Sequence, residues 1–115
     1  MKKFENILKA VADGKRVRIL KLLSQRKFCV CELADILGAT QPAISKHLKK
    51  LRSAGLIDGE QDGFWTNYFI AKSKDRHVKM LLTCVHKWLN EDAVIKSDAR
   101  KAKNIDRRKL CCKNG

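Results

Sequence analysis

The sequence predicts a mainly α-helical domain with one small β-hairpin, and three observations lead to this α+β class. Apolar residues recur at helical spacing in successive segments up to about Ala54, and again in a segment after Lys72. A short break at residues 38–40 separates two of these segments. Asp62 and Gly63 stand between two runs of β-forming residues, and an Asp-Gly pair in that setting is a strong signal of a tight hairpin turn.

The first three helices follow from this periodicity. The first begins near Phe4 and is expected to end near Asp13. The second runs from about Lys15 to Ser24, and its wide apolar arc predicts that it is buried between its neighbours. The third is short and is expected to run from about Val30 to Leu37.

Helix-stopping and helix-starting residues place the fourth helix. Gly38 can take the left-handed conformation that closes a helix, and Thr40 is a good N-cap for the next one. Pro42 falls in the first turn, where its missing N–H costs nothing. The fourth helix is therefore expected to run from Thr40 to about Ala54, and Gly55 ends it.

The hairpin and a last helix complete the predicted fold. One strand is expected to begin at Leu56 and the other to run from Phe64 to Ile70, and a helix is expected from Ser73 or Asp75 to about Glu91. Two helices joined by a tight turn and followed by a β-hairpin are the order of a winged helix-turn-helix. We therefore predict five helices and a two-stranded wing, in one domain over residues 1–95.

Composition narrows the function. The 115 residues include 26 Lys and Arg against 12 Asp and Glu, a formal net charge of +14, which favours a polyanionic partner. No apolar run approaches the roughly 18 residues of a membrane span, and the N-terminus lacks the apolar core of a signal peptide, so a cytoplasmic protein is expected. In that compartment the five cysteines are expected to be thiols rather than a disulfide framework.

The polar, basic face of the fourth helix is the predicted DNA-binding surface. A helix fits the major groove of double-stranded DNA, where its exposed N-terminal residues reach base edges. Gln41 suits a bidentate contact with adenine, and the lysines suit phosphates. The predicted contacts are Thr40, Gln41, Ser45, Lys46, His47, Lys49, Lys50 and Arg52. The sequence shows no acid–base pair and no phosphate-cradling glycine loop, so an enzyme is not expected.

Cys29 and Cys31 are the candidate sensor site. Side chains two positions apart on an intact helix point about 200° apart, which prevents them from gripping one ion. Cys29 stands where an N-cap belongs, however, and Glu32 takes the capping-box position, so the backbone at this junction can bring both sulfurs together. The helix N-terminus and the nearby cations Arg26 and Lys27 are expected to lower the thiol pKa, and thiolates select soft ions.

Several segments resemble the ArsR/SmtB family of metalloregulators. Ala39–Leu48 and Leu51–Ile57 are similar to that family's recognition segment, and Val11–Leu20 and Gly63–Tyr68 match as well. The resemblance extends from about Phe4 to Leu89. It implies a homodimer, built on the first and last helices, that binds an inverted repeat in operator DNA and is released when metal binds.

The tip of the wing differs from that of the family, and the C-terminal stretch lies beyond the segments that resemble it. Where the family's wing tip usually carries basic residues, this chain has Glu60, Gln61 and Asp62, which DNA phosphates would repel. Residues 96–115 contain eight basic and two acidic residues and lack apolar periodicity. We predict that they form a flexible basic tail or a frayed extension of the last helix, which can compensate for the wing and carries the adjacent pair Cys111 and Cys112.

The thiol segment itself resembles family sites for soft ions. Phe28–Leu33 is similar to the Cys-Val-Cys site of the arsenite- and antimonite-responsive members, and to that of the cadmium and lead sensors. The arsenite type usually has a third cysteine where this chain has Ala34, and the cadmium type draws on an N-terminal arm that here contains none. Cys111 and Cys112 are the best candidates for a third ligand, and Cys84 is more typical of a core residue.

The resemblance implies As(III) or Sb(III) as the inducer, held by thiolates of Cys29 and Cys31, with no organic cofactor. Because a mobile tail can reach this site, Cys111 and Cys112 complete the predicted set of metal ligands. Two alternatives of the same fold stay open. One is a repressor that responds to cadmium, lead or zinc. The other is a redox sensor in which cysteines form a reversible disulfide.

Overall fold

The computed structural model describes residues 1–111, with the side chain of Cys111 excepted. In chain order the elements are α1 (Lys2–Val11), α2 (Gly14–Leu23), α3 (Val30–Leu37), α4 (Gln41–Ser53), β1 (Ile57–Asp62), β2 (Trp65–Ile70), α5 (Arg76–Lys87), α6 (Ala93–Lys103) and α7 (Arg107–Cys111). Within these residues the two strands form one antiparallel sheet. None of the described helices is long and apolar enough to cross a bilayer.

The core is organised around α2. Ile19 and Leu20 have no exposed surface. The helix packs against α1, α3, α4, α5, α6 and β2. The predicted burial of this helix is therefore confirmed. Apolar residues of α3 and α4 complete the centre of the core: Leu33, Ile36, Ile44, Leu48 and Leu51.

The turn between α3 and α4 has the geometry that the sequence predicts. Gly38 closes α3 in the left-handed conformation, with φ of 66° and ψ of 36°. The Thr40 hydroxyl accepts a hydrogen bond from the N–H of Ala43 at 3.2 Å and so caps α4. Because α3 and α4 pack against each other on either side of this short turn, a displacement of α3 also displaces α4.

The wing turns one residue later than the sequence suggests. The strand register runs from Ile57 opposite Ile70 to Asp62 opposite Trp65, which leaves Gly63 and Phe64 as the two turn residues. Gly63 has a φ of 60°, in the region where glycine is favoured. Phe64, predicted to begin the second strand, is therefore at the tip of the wing, where it is 95% exposed.

The last predicted helix, α5, ends earlier in the chain than its apolar stripe suggests. It begins after the N-cap Asp75, which is one of the two predicted starting residues. At the other end the buried ammonium of Lys21 donates hydrogen bonds to the carbonyls of Val85 at 3.0 Å and His86 at 2.9 Å. Leu89 then adopts a φ of 64°, so the helix ends at Lys87 and not near Glu91.

The prediction of five helices is wrong, because the described residues form seven. α6 begins at an N-cap, Asp92, whose carboxylate accepts from the N–H of Val94 at 2.9 Å. Its buried anchor is Asp98, which is 2% exposed and bonded to Arg18 of α2. A helix held by a polar residue gives no apolar periodicity, and the sequence therefore suggested a flexible tail from residue 96, which lies inside α6.

Candidate DNA-binding face and thiol site

The outer face of α4 is exposed and basic. Ile44, Leu48 and Leu51 face the core, so the opposite side of the helix is turned to solvent. α4 itself contains no acidic residue. Seven of the predicted DNA contacts are exposed on or beside it: Thr40, Gln41, Ser45, Lys46, Lys49, Lys50 and Arg52.

Two of these residues also have partners within the protein. The Thr40 hydroxyl oxygen serves as the cap of α4, which leaves its O–H as a donor. Arg52 lies 3.0 Å from the carboxylate of Asp58 on β1, and both side chains are more than half exposed. Because an exposed ion pair contributes little free energy, a DNA phosphate can replace Asp58 as the partner of Arg52.

His47 is the predicted contact that the structure places differently. Its ring is half-buried, and its Nδ1 lies 3.3 Å from Nη1 of Arg16 on α2. An arginine can only donate, so Nδ1 accepts and the ring proton belongs on Nε2. Desolvation lowers the pKa of His47; Asp13 opposes this shift, and the charges of Arg16, Lys15 and Lys50 reinforce it. The ring therefore faces the interior flank of α4 rather than the outer face, and as a base contact it stays a prediction.

The acidic residues of the wing are neutralised by cations from elsewhere in the chain. The carboxylate of Glu60 lies 2.5 Å from the Lys27 ammonium. That of Asp62 lies 3.2 Å from the Arg107 guanidinium at the start of α7. The repulsion expected between this wing and DNA phosphates is therefore weaker than the sequence alone suggests.

Cys29 occupies the N-cap position of α3, as predicted. It has the extended backbone of a cap, with φ of −94° and ψ of 171°, and it forms a reciprocal capping box with Glu32. The Glu32 carboxylate accepts from the N–H of Cys29 at 3.0 Å, and Glu32 is itself 4% exposed. One residue earlier, Phe28 exchanges two backbone hydrogen bonds with Tyr68 of β2, at 3.2 and 2.8 Å. The thiol site is thereby joined to the wing.

The prediction that Cys29 has a lowered pKa is wrong. The side chain is 2% exposed, and burial raises the pKa of the thiol. The hydrogen bond from the backbone N–H of Glu32 opposes this rise by a smaller amount, and the charge of the Glu32 carboxylate adds to the rise. The two cations expected to stabilise a thiolate serve other partners. Arg26 stacks on the ring of Phe28 at 3.8 Å and lies 3.3 Å from Glu32, and Lys27 pairs with Glu60.

Cys31 lies in the first turn of α3 and is half-buried. The described part of α7 packs along α3, and Leu110 lines one small cavity together with Cys31 and Ala34. The side chain of Cys111 and all of Cys112 lie outside the described residues. Cys31 is disulfide-bonded in the structure. Among the described side chains, no three His, Cys, Asp or Glu form a group that could hold a metal ion.

The order and geometry of these elements match a known family. The family described as bacterial regulatory protein, arsR family, matches residues 13–58, which extend from the N-cap of α2 to the start of β1. The chain is 43% identical over 84 residues to the arsenical resistance operon repressor of Bacillus subtilis, and the match covers 72% of this chain and 77% of that repressor. The chain belongs to the arsR family.

Two further matches agree with the arsR-family assignment. The transcriptional repressor SmtB of Mycobacterium tuberculosis is 35% identical over 88 residues, covering 76% of this chain and 63% of that protein. The homodimeric winged helix-turn-helix domain of a possible ArsR-family regulator from Mycobacterium bovis superposes with a TM-score of 0.64 at 31% identity, covering 73% of this chain and 75% of that one. The predicted winged helix-turn-helix is confirmed, and the chain is a DNA-binding transcriptional regulator rather than an enzyme.

This arsR-family chain leaves apolar side chains exposed on two helices. On α1 these are Phe4 and Leu8, which are 44% and 47% exposed. On α5 and just after it, Met80 and Trp88 are 68% and 58% exposed. Cys84 is half-buried on the same helix and is a free cysteine. Apolar surface of this kind on two helices is typical of a protein–protein interface.

Sequence reasoning missed the residues that join α7 to the wing. Arg107 donates to Oδ1 of Asn67 at 2.5 Å and stacks over the ring of Trp65 at 4.2 Å. The indole Nε1 of Trp65 is buried and has no hydrogen-bond partner among the described residues. These pairs are separated by some forty residues in the chain, and no local pattern signals them.

Proposed function

We propose that this protein represses transcription as a homodimer on an inverted-repeat operator, and that As(III) or Sb(III) releases it from DNA. The ligands in this proposal are the thiolates of Cys29 and Cys31, with Cys111 and Cys112 as sources of the third. The observation that carries the proposal is the position of Cys29 and Cys31 at the start of α3, the helix packed on the recognition helix α4. The similarity to the arsenical resistance operon repressor of Bacillus subtilis supports an arsenical as the inducer.

The capping box gives the metalloid a way to disturb α3. To share an ion with Cys31, the Cys29 sulfur has to leave its capping position, because a sulfur that binds the ion no longer accepts from the N–H of Glu32. Loss of an N-cap costs roughly 0.5–2 kcal/mol of helix stability. An allosteric effect on DNA affinity needs a coupling free energy of about 1–3 kcal/mol. The strain available at this one junction is therefore of the required size.

Two connections carry the disturbance to the DNA-binding elements. The packing of α3 on α4 transmits it to the recognition helix. The paired hydrogen bonds between Phe28 and Tyr68 transmit it to β2, because Phe28 precedes Cys29 directly. A movement at the thiol site thus changes the angle between α4 and the wing.

The third ligand is supported by the course of α7. This short helix packs along α3 and brings Leu110 into the cavity that Cys31 also lines, so the chain arrives at Cys111 beside the thiol site. Arsenite suits a buried thiol, since each hydroxide of As(OH)3 leaves as water with the proton of the thiol that replaces it. A Cys29 thiol with a raised pKa is then no obstacle to ligation.

Dimerisation through α1 and α5 is supported by their exposed apolar residues. Phe4, Leu8, Met80 and Trp88 supply the apolar surface that an interface core requires. The similar Mycobacterium bovis domain is homodimeric, which supports dimerisation of this chain. We propose that the two α4 helices of such a dimer enter successive major grooves of one operator.

Release of a fluorescent duplex tests the proposal. The duplex is selected from a random library on the immobilised protein, and the protein is reduced with a phosphine, which does not compete for arsenite as a dithiol does. Arsenite should lower the fluorescence anisotropy of the wild-type complex and of Cys84→Ser, the control. Release that persists in Cys29→Ser/Cys31→Ser would overturn the proposal.

A redox response is the second candidate, and the disulfide of Cys31 is the observation that favours it. In this case oxidation of the dithiol by a peroxide, which is reduced to water or an alcohol, would replace metalloid binding as the signal. Peroxide should then release the duplex without arsenite, and dithiothreitol should restore binding. A repressor that responds to cadmium, lead or zinc is the remaining alternative, and adding each ion to the reduced protein distinguishes it.

A further inference from the structure

A groove between α1 and α4 has the composition of an anion-binding site. It encloses about 710 Å³ and lies beside the outer face of α4, away from the thiol site. Six residues with cationic or imidazole side chains line it: Lys9, Arg16, Lys46, His47, Lys49 and Lys50. None of the described residues that line it is acidic.

Arg16 fixes the inner wall of the groove. Its Nε donates to the carbonyl of Ala10 at 2.7 Å and its Nη2 to the carbonyl of Lys9 at 3.2 Å, so the guanidinium caps the end of α1. The carboxylate of Asp13 lies 3.8 Å from Nη1, behind this wall, and balances part of the charge. The Arg16 side chain is 11% exposed and is therefore held in place rather than free to swing outward.

His47 adds a donor of fixed orientation to the same wall. Because its Nδ1 accepts from Arg16, the proton of the neutral ring is on Nε2. The hydrogen bonds among the described residues use Nδ1 and leave Nε2 available. A directed N–H donor beside several ammonium groups is the combination that binds phosphate oxygens.

The floor of the groove is apolar. The methyl groups of Ala10, Ala43 and Ala54 line it between the lysine stems. A bare ion would leave this surface wet, whereas a molecule with an apolar body and a phosphate group would cover it. Several like charges around one groove also repel one another, and a bound dianion relieves that repulsion.

We infer that the groove between α1 and α4 binds a phosphate group, through Lys50, Lys46 and the Nε2–H of His47. Two sources can supply it, a small phosphorylated molecule or the backbone of the bound DNA. Lys46, Lys49 and Lys50 belong both to this groove and to the outer face of α4, so occupancy of the groove and DNA binding are linked. The inference does not depend on the thiol site.

Titration with inorganic phosphate tests the site in the reduced, DNA-free protein. Nuclear magnetic resonance follows the His47 ring nitrogens and the Ala43 amide while chloride is exchanged for phosphate at constant ionic strength. Saturable shifts are expected, with an affinity at least about tenfold weaker in Lys50→Gln and unchanged in the control Lys101→Gln, an exposed lysine on α6. Shifts that grow linearly, or that weaken equally in both variants, would overturn the inference.

DNA distinguishes the two sources. If the backbone supplies the phosphate, duplex DNA displaces inorganic phosphate from the groove, and the phosphate-dependent shifts of the His47 ring disappear in the complex. If a small molecule supplies it, these shifts persist in the complex and still saturate with phosphate. The variant Cys29→Ser/Cys31→Ser should bind phosphate normally in either case, so failure of the thiol proposal leaves this site untouched.

Discussion

The guanidinium of Arg107 stacks over the indole ring of Trp65 at 4.2 Å, and this contact joins the C-terminal helix α7 to the wing. The same side chain pairs with Asp62 and donates to Asn67, so one residue holds three positions of the hairpin. α7 also packs on α3, which begins at the thiol site. The C-terminal segment thus links the candidate sensor to the wing by a second route.

Removal of this side chain should loosen the wing. Arg107→Ala loses a stacking contact worth about 0.5–2 kcal/mol and leaves Asp62 without its partner, so the free energy of unfolding should fall by about 1–2 kcal/mol. Urea unfolding followed by tryptophan fluorescence measures this change. Arg108→Ala is the control, because Arg108 is exposed and pairs with Asp106, which lies just before α7 and not on the wing. An equal loss in both variants would show that Arg107 does not hold the wing.

The ion pair between Arg18 and Asp98 should decide whether α6 is folded. Arg18 donates twice to the Asp98 carboxylate, at 2.8 and 2.9 Å, in a bidentate arrangement that is buried on the aspartate side. Asp98→Ala leaves Arg18 without that partner and should cost about 3–5 kcal/mol, the usual loss when one member of a buried pair is removed. Far-ultraviolet circular dichroism should show less helix. A spectrum unchanged from the wild type would favour the flexible tail.

Lys21 should stabilise the end of α5. Its buried ammonium donates to the carbonyls of Val85 and His86 and to Oδ1 of Asn90, and burial lowers its pKa. Lys21→Met removes the donor but keeps most of the stem, so the free energy of unfolding should fall by about 1–3 kcal/mol because α5 carbonyls lose their partners. Lys87→Met, on the exposed side of α5, provides the comparison in thermal unfolding. Equal melting temperatures for the two variants would contradict this role.

The raised pKa of Cys29 predicts that the affinity for a metal cation depends on pH more strongly than the affinity for arsenite does. Below that pKa the thiol is protonated, so Cd²⁺ must release its proton to solvent, and its affinity should rise up to about tenfold per pH unit for each proton displaced. Arsenite converts the same proton into water, and its affinity should change little between about pH 6.5 and 8. Calorimetric titrations of the reduced protein in buffers of different ionisation enthalpy count the protons. Release of clearly less than one proton per bound thiol by Cd²⁺ near pH 8 would contradict the raised pKa of Cys29.

Local signals made the central part of the fold predictable. Gly38 and Thr40 are read directly as the end of one helix and the start of the next, and Cys29 with Glu32 as a capping box, because these roles depend on residues a few positions apart. α6 was not predictable, because Asp98 is buried through a partner on α2 eighty residues away and interrupts the apolar pattern.

The position of the thiol site could be predicted from the sequence, but its electrostatics could not. The sequence shows Glu60 and Asp62 as an acidic wing tip, but their partners Lys27 and Arg107 come from distant segments. It shows Arg26 beside Cys29, but the packing assigns that cation to Phe28 and Glu32, and burial then decides the thiol pKa. Charges near in sequence predict a pKa only where the fold also leaves them near in space.

The central claim is that binding of a metalloid by Cys29 and Cys31 opposes binding of DNA, and one thermodynamic cycle tests it most directly. Arsenite affinity is measured by calorimetry on the reduced free protein and on its complex with the selected duplex. By linkage, DNA must change the affinity for arsenite by the same factor as arsenite changes the affinity for DNA. We expect arsenite to bind the complex about 5–150-fold more weakly than it binds the free protein. This difference should be lost in Cys29→Ser/Cys31→Ser. Equal arsenite affinity for the free protein and the complex would contradict the account.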